Sequence, residues 1–246
     1  APVAYYYQSP EAVRFEQSMR AGIMEAAVAL NASGADFATY EESRGNTQLW
    51  SRTNNGGLLL KKGVPSSVGI EDIFRNGHLY AFECGTAMVI VLYKATLGAI
   101  GENAFNMYFK DLFLWDWHYD SNLRLIFTHH IYETSPGDIV YFKNPDHDPQ
   151  KQEWQGENAV MLNDGLYYGH GIGITTAEGI ITSLNQERVP GSVTSAYLIN
   201  DALHPDFEYL RSLSLGREPV VEQRRSESTI FSRIGGTSYI HKLKRR

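Results

Sequence analysis

The only cysteine of the chain, Cys84, is the first residue whose type and position suggest chemistry. It follows Glu83 directly and opens the run "CGTAMVIVLYKATLGAI", which is almost wholly apolar and predicts a buried helix. A cysteine at a helix start lies at the positive end of the helix dipole, which favours the thiolate. Two interpretations stay open. Cys84 is either a small buried hydrophobic residue or a nucleophile, and Glu83 is a carboxylate that complements the dipole, a base, or both.

Two later segments supply polar residues that suit a thiol site. In "WQGENAVML", Glu157 opens an apolar run that predicts a buried strand, where burial would raise the carboxyl pKa. In "YYGHGIGI", His170 lies between two glycines, which allow a substrate or another backbone segment to come close. A helix-borne cysteine followed by polar residues on later strands is the layout of papain-like thiol enzymes. His170 alone is equally compatible with a structural role.

Composition excludes several other classes of function. The chain has 246 residues, a formal net charge of −6 and no basic excess that would indicate binding to nucleic acid or to an anionic membrane. Its apolar runs are too short to span a bilayer. One cysteine cannot form an internal disulfide, which favours a reducing compartment. A cysteine-based zinc cluster is ruled out, and no metal or cofactor is predicted.

The predicted elements would position these residues. Helices are predicted over 11–31 with Ser9 as N-cap, from Ser66 or Ser67 to about Phe74, over 84–100 and over 103–109; strands are predicted over 112–116, 125–132, 138–143, 157–162 and 166–174. Helices first and strands second predict an α+β domain. We expect one catalytic domain over 1–213 and a basic, partly disordered tail over 214–246.

Four motifs carry a family resemblance. The segments "YAFECGTAMVIV", "LWDWHYD", "VYFKNPDHDPQKQEWQGENAVML" and "YYGHGIGI" resemble, in order, those of the bacterial spore-coat transglutaminases of Bacillus-like organisms. The similarity runs from about Tyr6 to Leu213. It implies a papain-like core of the NlpC type, in which the buried helix that bears the nucleophile packs on an antiparallel sheet.

The resemblance also implies roles for individual residues. Cys84 would be the nucleophile, Glu157 its main partner, Glu83 a partly redundant base and His170 a further residue of the site. The walls of a substrate tunnel would come from Trp115, Trp117, Tyr119 and Trp154, each of which also fits an ordinary core or surface aromatic residue.

The activity that the resemblance implies is protein-glutamine γ-glutamyl transfer. It would form ε-(γ-glutamyl)lysine cross-links between spore-coat proteins through a cysteine thioester, without calcium or a cofactor. The partners would be proteins that supply glutamine and lysine, and the location would be the mother-cell cytoplasm and then the spore coat. Two alternatives are an NlpC-type amidase or peptidase acting on cell-wall peptides through Cys84 and His170, and an inactive coat protein.

Proton transfer from a cysteine to a glutamate is unfavourable unless the protein shifts their pKa values. Moving a proton from a free cysteine to a free glutamate crosses about 4 pK units, which costs about 5–6 kcal/mol. We expect the helix start to lower the pKa of Cys84 and burial to raise that of Glu157. If Glu157 takes the thiol proton, it becomes the acid that protonates departing ammonia.

Overall fold

The computed structural model describes Tyr7, residues 9–129 and 134–216, and the backbone of residues 229–234 and 237–242. The helices are α1 (Pro10–Ala32), α2 (Ser66–Arg75), α3 (Cys84–Ile100), α4 (Glu102–Tyr108), α5 (Ala177–Gln186) and α6 (Phe207–Ser214). The strands are β1 (Asp36–Phe37), β2 (Trp50–Arg52), β3 (Leu58–Leu60), β4 (Ala81–Phe82), β5 (Phe113–Leu114), β6 (Ile126–His129), β7 (Ile139–Lys143), β8 (Gly156–Met161), β9 (Leu166–Gly169), β10 (Gly173–Thr176), β11 (Tyr197–His204), β12 (Thr229–Ile234) and β13 (Thr237–Lys242).

An antiparallel sheet of six strands forms one layer, in the order β10-β9-β8-β7-β11-β6. Helix α3 packs against β8 of this sheet on one side and against α1 and α6 on others. All residues of α3 except Lys94, Gly98 and Ala99 are buried, because the helix is apolar around its whole circumference. The predicted α+β architecture, with a buried helix on an antiparallel sheet, is confirmed.

Local sequence signals predicted the starts of some helices correctly. Helix α1 starts after Ser9, whose hydroxyl accepts the backbone N–H of Ala12, as predicted. Helix α3 has the predicted bounds. The predicted serine cap of the second helix is wrong: Pro65 occupies the N-cap of α2, while Ser66 and Ser67 lie inside the helix and bond to residues of α4.

Five helices and strands of the second half were not predicted, namely α5, β11, α6, β12 and β13. The single strand predicted over 166–174 is wrong, since it is a hairpin of β9 and β10. The chain reverses because Gly171, in the turn, and Gly173, the first residue of β10, adopt positive φ angles of 104° and 96°. His170 therefore lies in a turn and not in a strand.

The segment beyond α6 is described only in part. Helix α6 ends at Ser214, and the backbone of β12 pairs with that of β13 in an antiparallel ladder. The other tail residues beyond 216, for which disorder was predicted, lie outside the described residues. The end of the strand predicted over 125–132 also lies outside them. The division at residue 213 stays a prediction. Within the described ranges, no helix is long and apolar enough to cross a membrane.

Candidate active site

The helix that carries the thiol is capped by the residue before it. Glu83 has extended backbone, and its carboxylate accepts the backbone N–H of Gly85 at 2.8 Å and that of Thr86 at 2.6 Å. The Thr86 hydroxyl donates a third hydrogen bond at 2.7 Å. These bonds satisfy N–H groups that the helix itself leaves free. Glu83 is therefore observed as the N-cap, which is one of the roles that the sequence left open for it, and its role as a base stays a prediction.

Cys84 is the first residue of α3 and is 9% exposed. The side-chain amide of Asn158 donates a hydrogen bond to its sulfur at 3.4 Å. Burial is the main cause that raises the pKa of the Cys84 thiol well above its usual value, followed by the negative charges of Glu157 and Glu83. The expected lowering of this pKa by the helix start is wrong, because burial of the thiol and the charges of Glu157 and Glu83 act in the opposite direction.

Glu157 lies on β8, opposite Phe142 of β7, and is 3% exposed. It packs over Gly169, where an added Cβ would lie only 2.9 Å from its Oε1 atom. Oε1 has no hydrogen-bond partner among the described residues. Burial first, and then the charge of Glu83, raise the pKa of Glu157 well above the ordinary value, which confirms the direction expected from the sequence.

The raised pKa of Glu157 makes it a better base than a solvated carboxylate. The charge of Glu157 raises the pKa of Cys84, so ionisation of the thiol depends on the protonation state of this carboxyl. Removing one proton from the pair leaves a thiol beside a carboxylate, or a thiolate beside a carboxylic acid. Raising the carboxyl pKa favours the second form, which contains the nucleophile, and Asn158 donates a hydrogen bond to it.

His170 is 3% exposed, and both nitrogens of its ring are engaged away from the thiol. The Tyr168 hydroxyl bonds to Nδ1 at 2.8 Å, and Nε2 bonds to the Asp36 carbonyl at 3.0 Å. Its ring stacks on Phe82, with centroids 4.8 Å apart. Burial is the main cause that lowers the pKa of His170 to about 4, so the ring is neutral at neutral pH. His170 thus holds β1 and the strand before Cys84 in place.

The four aromatic residues predicted as tunnel walls lie in different places. The Trp117 ring lies 3.2 Å from where a Cβ of Gly85 would be, beside the thiol. Trp154 approaches Phe37 on the His170 side, with ring centroids 6.3 Å apart. Trp115 packs on the ring of Tyr40. Tyr119 packs against the main hydrophobic core.

Sequence reasoning missed three residues of this site: Tyr40, Asp116 and Asn158. The Tyr40 hydroxyl favours the ionised form of the Asp116 carboxylate, whose Oδ1 lies 3.1 Å from the Cβ position of Gly85. A usable signal was present, since Gly85 directly after the nucleophile indicates a close neighbour, and Asn158 directly follows Glu157.

No group of three or more metal-ligating side chains is found in the part of the chain that the structure describes. Three histidine and aspartate residues outside the site have structural partners. Asp146 accepts a hydrogen bond from Ser192, and His147 bonds to the Asn144 carbonyl. His129 lies 3.1 Å from Asp201, on the neighbouring strand.

The fold and the site together define a class of thiol enzyme. A cysteine opens a buried helix that packs on an antiparallel sheet, and carboxylates rather than an imidazole surround its sulfur. A family model for protein-glutamine gamma-glutamyltransferase matches residues 1–214.

Relatives that bear that name are similar over most of the chain. The protein of Bacillus cereus is 42% identical over 215 residues, which are 87% of this chain and 78% of the relative. That of Bacillus pumilus is 44% identical over 209 residues, which are 85% and 84% of the two chains. The solved structure of the transglutaminase from Geobacillus stearothermophilus, without its C-terminal extension, has a TM-score of 0.79 and 46% identity, over 83% of this chain and 98% of that one. The chain belongs to the protein-glutamine gamma-glutamyltransferase family, and it is a transglutaminase.

Proposed function

We propose that this transglutaminase forms isopeptide cross-links between proteins through a thioester on Cys84. The observation that carries the proposal is the environment of the Cys84 sulfur. Cys84 begins α3, its sulfur accepts a hydrogen bond from Asn158, and the charges of two carboxylates raise its pKa, that of Glu157 more than that of Glu83. A thiol paired with a basic carboxylate is suited to attack an amide and to return a proton to the departing amine.

The first half of the reaction loads the enzyme. The proton of Cys84 passes to Glu157, and the sulfur attacks the γ-carboxamide carbon of a protein glutamine. The C–S bond forms, the C–N bond breaks, and Glu157 gives its proton to the departing ammonia. A γ-glutamyl thioester on Cys84 and an ionised Glu157 remain.

The second half transfers the acyl group to a lysine. The ε-amine attacks the thioester carbon, the C–N bond forms and the C–S bond breaks. Glu157 takes one proton from the attacking nitrogen and returns it to the sulfur, which restores the starting state. Water competes with the amine for the thioester, so exclusion of water by aromatic side chains such as Trp117, which packs at Gly85, would favour transfer over hydrolysis.

The bonding of His170 supports this reaction over the alternative of an NlpC-type peptidase. Such a peptidase would use an imidazole as the base of the thiol. Both ring nitrogens of His170 are taken by Tyr168 and Asp36, and the lowered pKa leaves the ring a weak base. The carboxyl of Glu157, with one unbonded oxygen and a raised pKa, is the better base.

We further propose spore-coat proteins as the substrates, and the mother-cell cytoplasm followed by the coat as the location. The resemblance of the motifs to spore-coat transglutaminases supports this assignment. It is tested by imaging the fluorescently tagged chain through sporulation in its own organism, together with cross-link analysis of coats from a deletion strain. Diffuse fluorescence outside the coat, with unchanged cross-links in the deletion strain, would reject it.

The activity is tested by incubating the enzyme with a glutamine-containing protein and a fluorescent primary amine, with excess chelator present. We expect incorporation of the amine without calcium and its loss in Cys84→Ala, while circular dichroism shows the fold retained. Mass spectrometry of the acid-quenched enzyme should show the acyl adduct on Cys84. Incorporation that persists in Cys84→Ala would refute the thioester, and the absence of any incorporation would favour an inactive coat protein.

A further inference from the structure

Asp116 has a partner and a position that the Cys84–Glu157 pair does not explain. It follows β5, between Trp115 and Trp117, with a left-handed backbone angle φ of 49° that non-glycine residues seldom adopt. Its Oδ1 atom lies 3.1 Å from where a Cβ of Gly85 would be, so the carboxylate lies close to the start of α3 and a side chain at position 85 would crowd it.

Two neighbouring donors favour the ionised form of the Asp116 carboxylate. The Trp117 backbone N–H and the Tyr40 hydroxyl both oppose the rise of its pKa that burial causes. Burial and the charges of Glu83, Asp116 and Cys84 raise the pKa of Tyr40, so its hydroxyl stays protonated and remains a donor. The Tyr40 ring packs against Trp115, with centroids 5.6 Å apart.

The proton balance of the second half-reaction requires a further acceptor. A lysine arrives as an ammonium ion, and the isopeptide nitrogen keeps only one hydrogen. Two protons must therefore leave this nitrogen: one returns to the sulfur through Glu157, and the other reaches solvent. Glu157 cannot also take the first proton, because it must be ionised in order to accept the second proton as the C–S bond breaks.

Of the three carboxylates near the thiol, Asp116 is the one suited to the first proton. Both oxygens of Glu83 are bonded to the start of α3. Glu157 is almost fully buried and serves the sulfur. Asp116 is partly exposed, so it can reach both an incoming amine and water.

We propose that Asp116, next to Tyr40, binds the ammonium group of the acyl-acceptor lysine beside Trp117 and passes its first proton to solvent. This inference rests on the proposed transfer function and names the residue that recognises the amine substrate. Burial and the charge of Glu83 raise the pKa of Asp116 to about 6, which brings it closer to the pKa of an amine than an ordinary aspartate would be.

The test compares Asp116→Asn with the parent enzyme in two assays. Ammonia release from a glutamine peptide without added amine reports thioester formation and hydrolysis, which need no amine. Incorporation of a fluorescent cadaverine, a cationic amine, reports the transfer step. We expect ammonia release within about twofold of the parent and a KM for cadaverine raised by at least tenfold. Asparagine tolerates the left-handed backbone, so the variant should fold, as a thermal melt will check.

Hydroxylamine separates amine recognition from a general defect, because it is largely uncharged at pH 7.5 and needs no deprotonation before attack. Its incorporation should fall less than threefold in Asp116→Asn. Tyr40→Phe, which keeps the ring on Trp115, should raise the KM for cadaverine in the same direction but by less. Asp111→Asn is the matched control, since Asp111 also has a left-handed backbone, with φ 52°, and is exposed; it should change none of these values.

Equal losses for cadaverine and hydroxylamine, a parallel fall in ammonia release, or an unchanged KM for cadaverine would each overturn the role of Asp116. Failure of the proposed function looks different, since the parent enzyme would then release no ammonia and form no acyl adduct on Cys84.

Discussion

The side-chain amide of Asn158 donates a hydrogen bond to the sulfur of Cys84, with a nitrogen–sulfur distance of 3.4 Å. Asn158 lies on β8 and Cys84 begins α3, so this bond joins the two elements that meet at the reactive group. Glu157, the residue before Asn158 on β8, is the charge that most strongly raises the pKa of the same thiol, and its side chain packs over Gly169.

Replacement of Asn158 by alanine should slow loading of the enzyme. The thiol is buried near two carboxylates, and Asn158 opposes the resulting rise of its pKa. Loss of one preorganised donor to developing negative charge costs about 10²–10³ in kcat where it has been measured; we expect about 10–100 for a weaker bond to sulfur. Alkylation of Cys84 at pH 7 should slow in parallel. Asn163→Ala, at an exposed position beyond β8, is the control, and an unchanged alkylation rate in Asn158→Ala would show that the bond does not support the thiolate.

Glu157→Gln should lower kcat/KM more than Glu83→Gln does. A glutamine at 157 cannot accept the thiol proton, and loss of a general base costs roughly 10²–10⁴ in rate. A glutamine at 83 still offers one oxygen to the start of α3, so its main effect should be a loss of about 1 kcal/mol or less in the free energy of unfolding. Steady-state kinetics and urea unfolding of both variants check this. Equal kinetic losses would mean that the two carboxylates share the role of base.

The activity should fall in acid at a pH above the ordinary glutamate pKa. When both Cys84 and Glu157 are protonated, no base is present for the thiol, and burial raises the pKa of Glu157. The acid limb of kcat/KM for the glutamine donor therefore lies above pH 4.5 and disappears in Glu157→Gln, whose residual activity should rise only with ionisation of the thiol. An acid limb at or below pH 4.5 in the parent enzyme would contradict the assignment.

The same raised pKa predicts an effect on stability. The folded state holds the proton of Glu157 more tightly than the unfolded state, so the favourable contribution is present at low pH and is lost as the pH rises through the folded pKa. We expect Glu157→Gln to be more stable than the parent enzyme at pH 8 and to lose this advantage near pH 4. Thermal melts at the two pH values test it. A variant that is less stable than the parent at pH 8 would show that the ionised carboxylate is well solvated.

His170 should make folding stability depend on pH in the opposite direction. Burial lowers its pKa to about 4, against 6.5 in the unfolded chain, so its contribution is present above pH 6.5 and is lost as the pH falls through about 4. The difference corresponds to roughly 3 kcal/mol. Urea unfolding between pH 4 and 8 should show a shallower pH slope in His170→Asn than in the parent enzyme. His78→Asn, at an exposed position, is the control, and equal slopes in all three proteins would contradict the prediction.

Short-range signals in the sequence were enough for part of the fold. The apolar run after Cys84 and the serine–proline start at Ser9 determine α3 and α1, because caps and apolar periodicity act over a few residues. The hairpin at His170 was missed because two glycines within an apolar run are compatible with both a strand and a turn. Asp116 and Tyr40 escaped notice because nothing along the chain links residues 76 positions apart to each other.

By itself, the sequence determined the place of Cys84 at the start of a buried helix and the candidacy of Cys84 as nucleophile and of Glu157 as its partner. Tertiary structure alone decided how each group behaves. Glu83 is occupied as a cap, the imidazole of His170 is turned toward Tyr168 and Asp36, and the pKa of the thiol is raised where the sequence predicted lowering. The physical reason is that burial and the field of neighbouring charges depend on distances through space, and folding sets those distances between residues that are far apart in the chain.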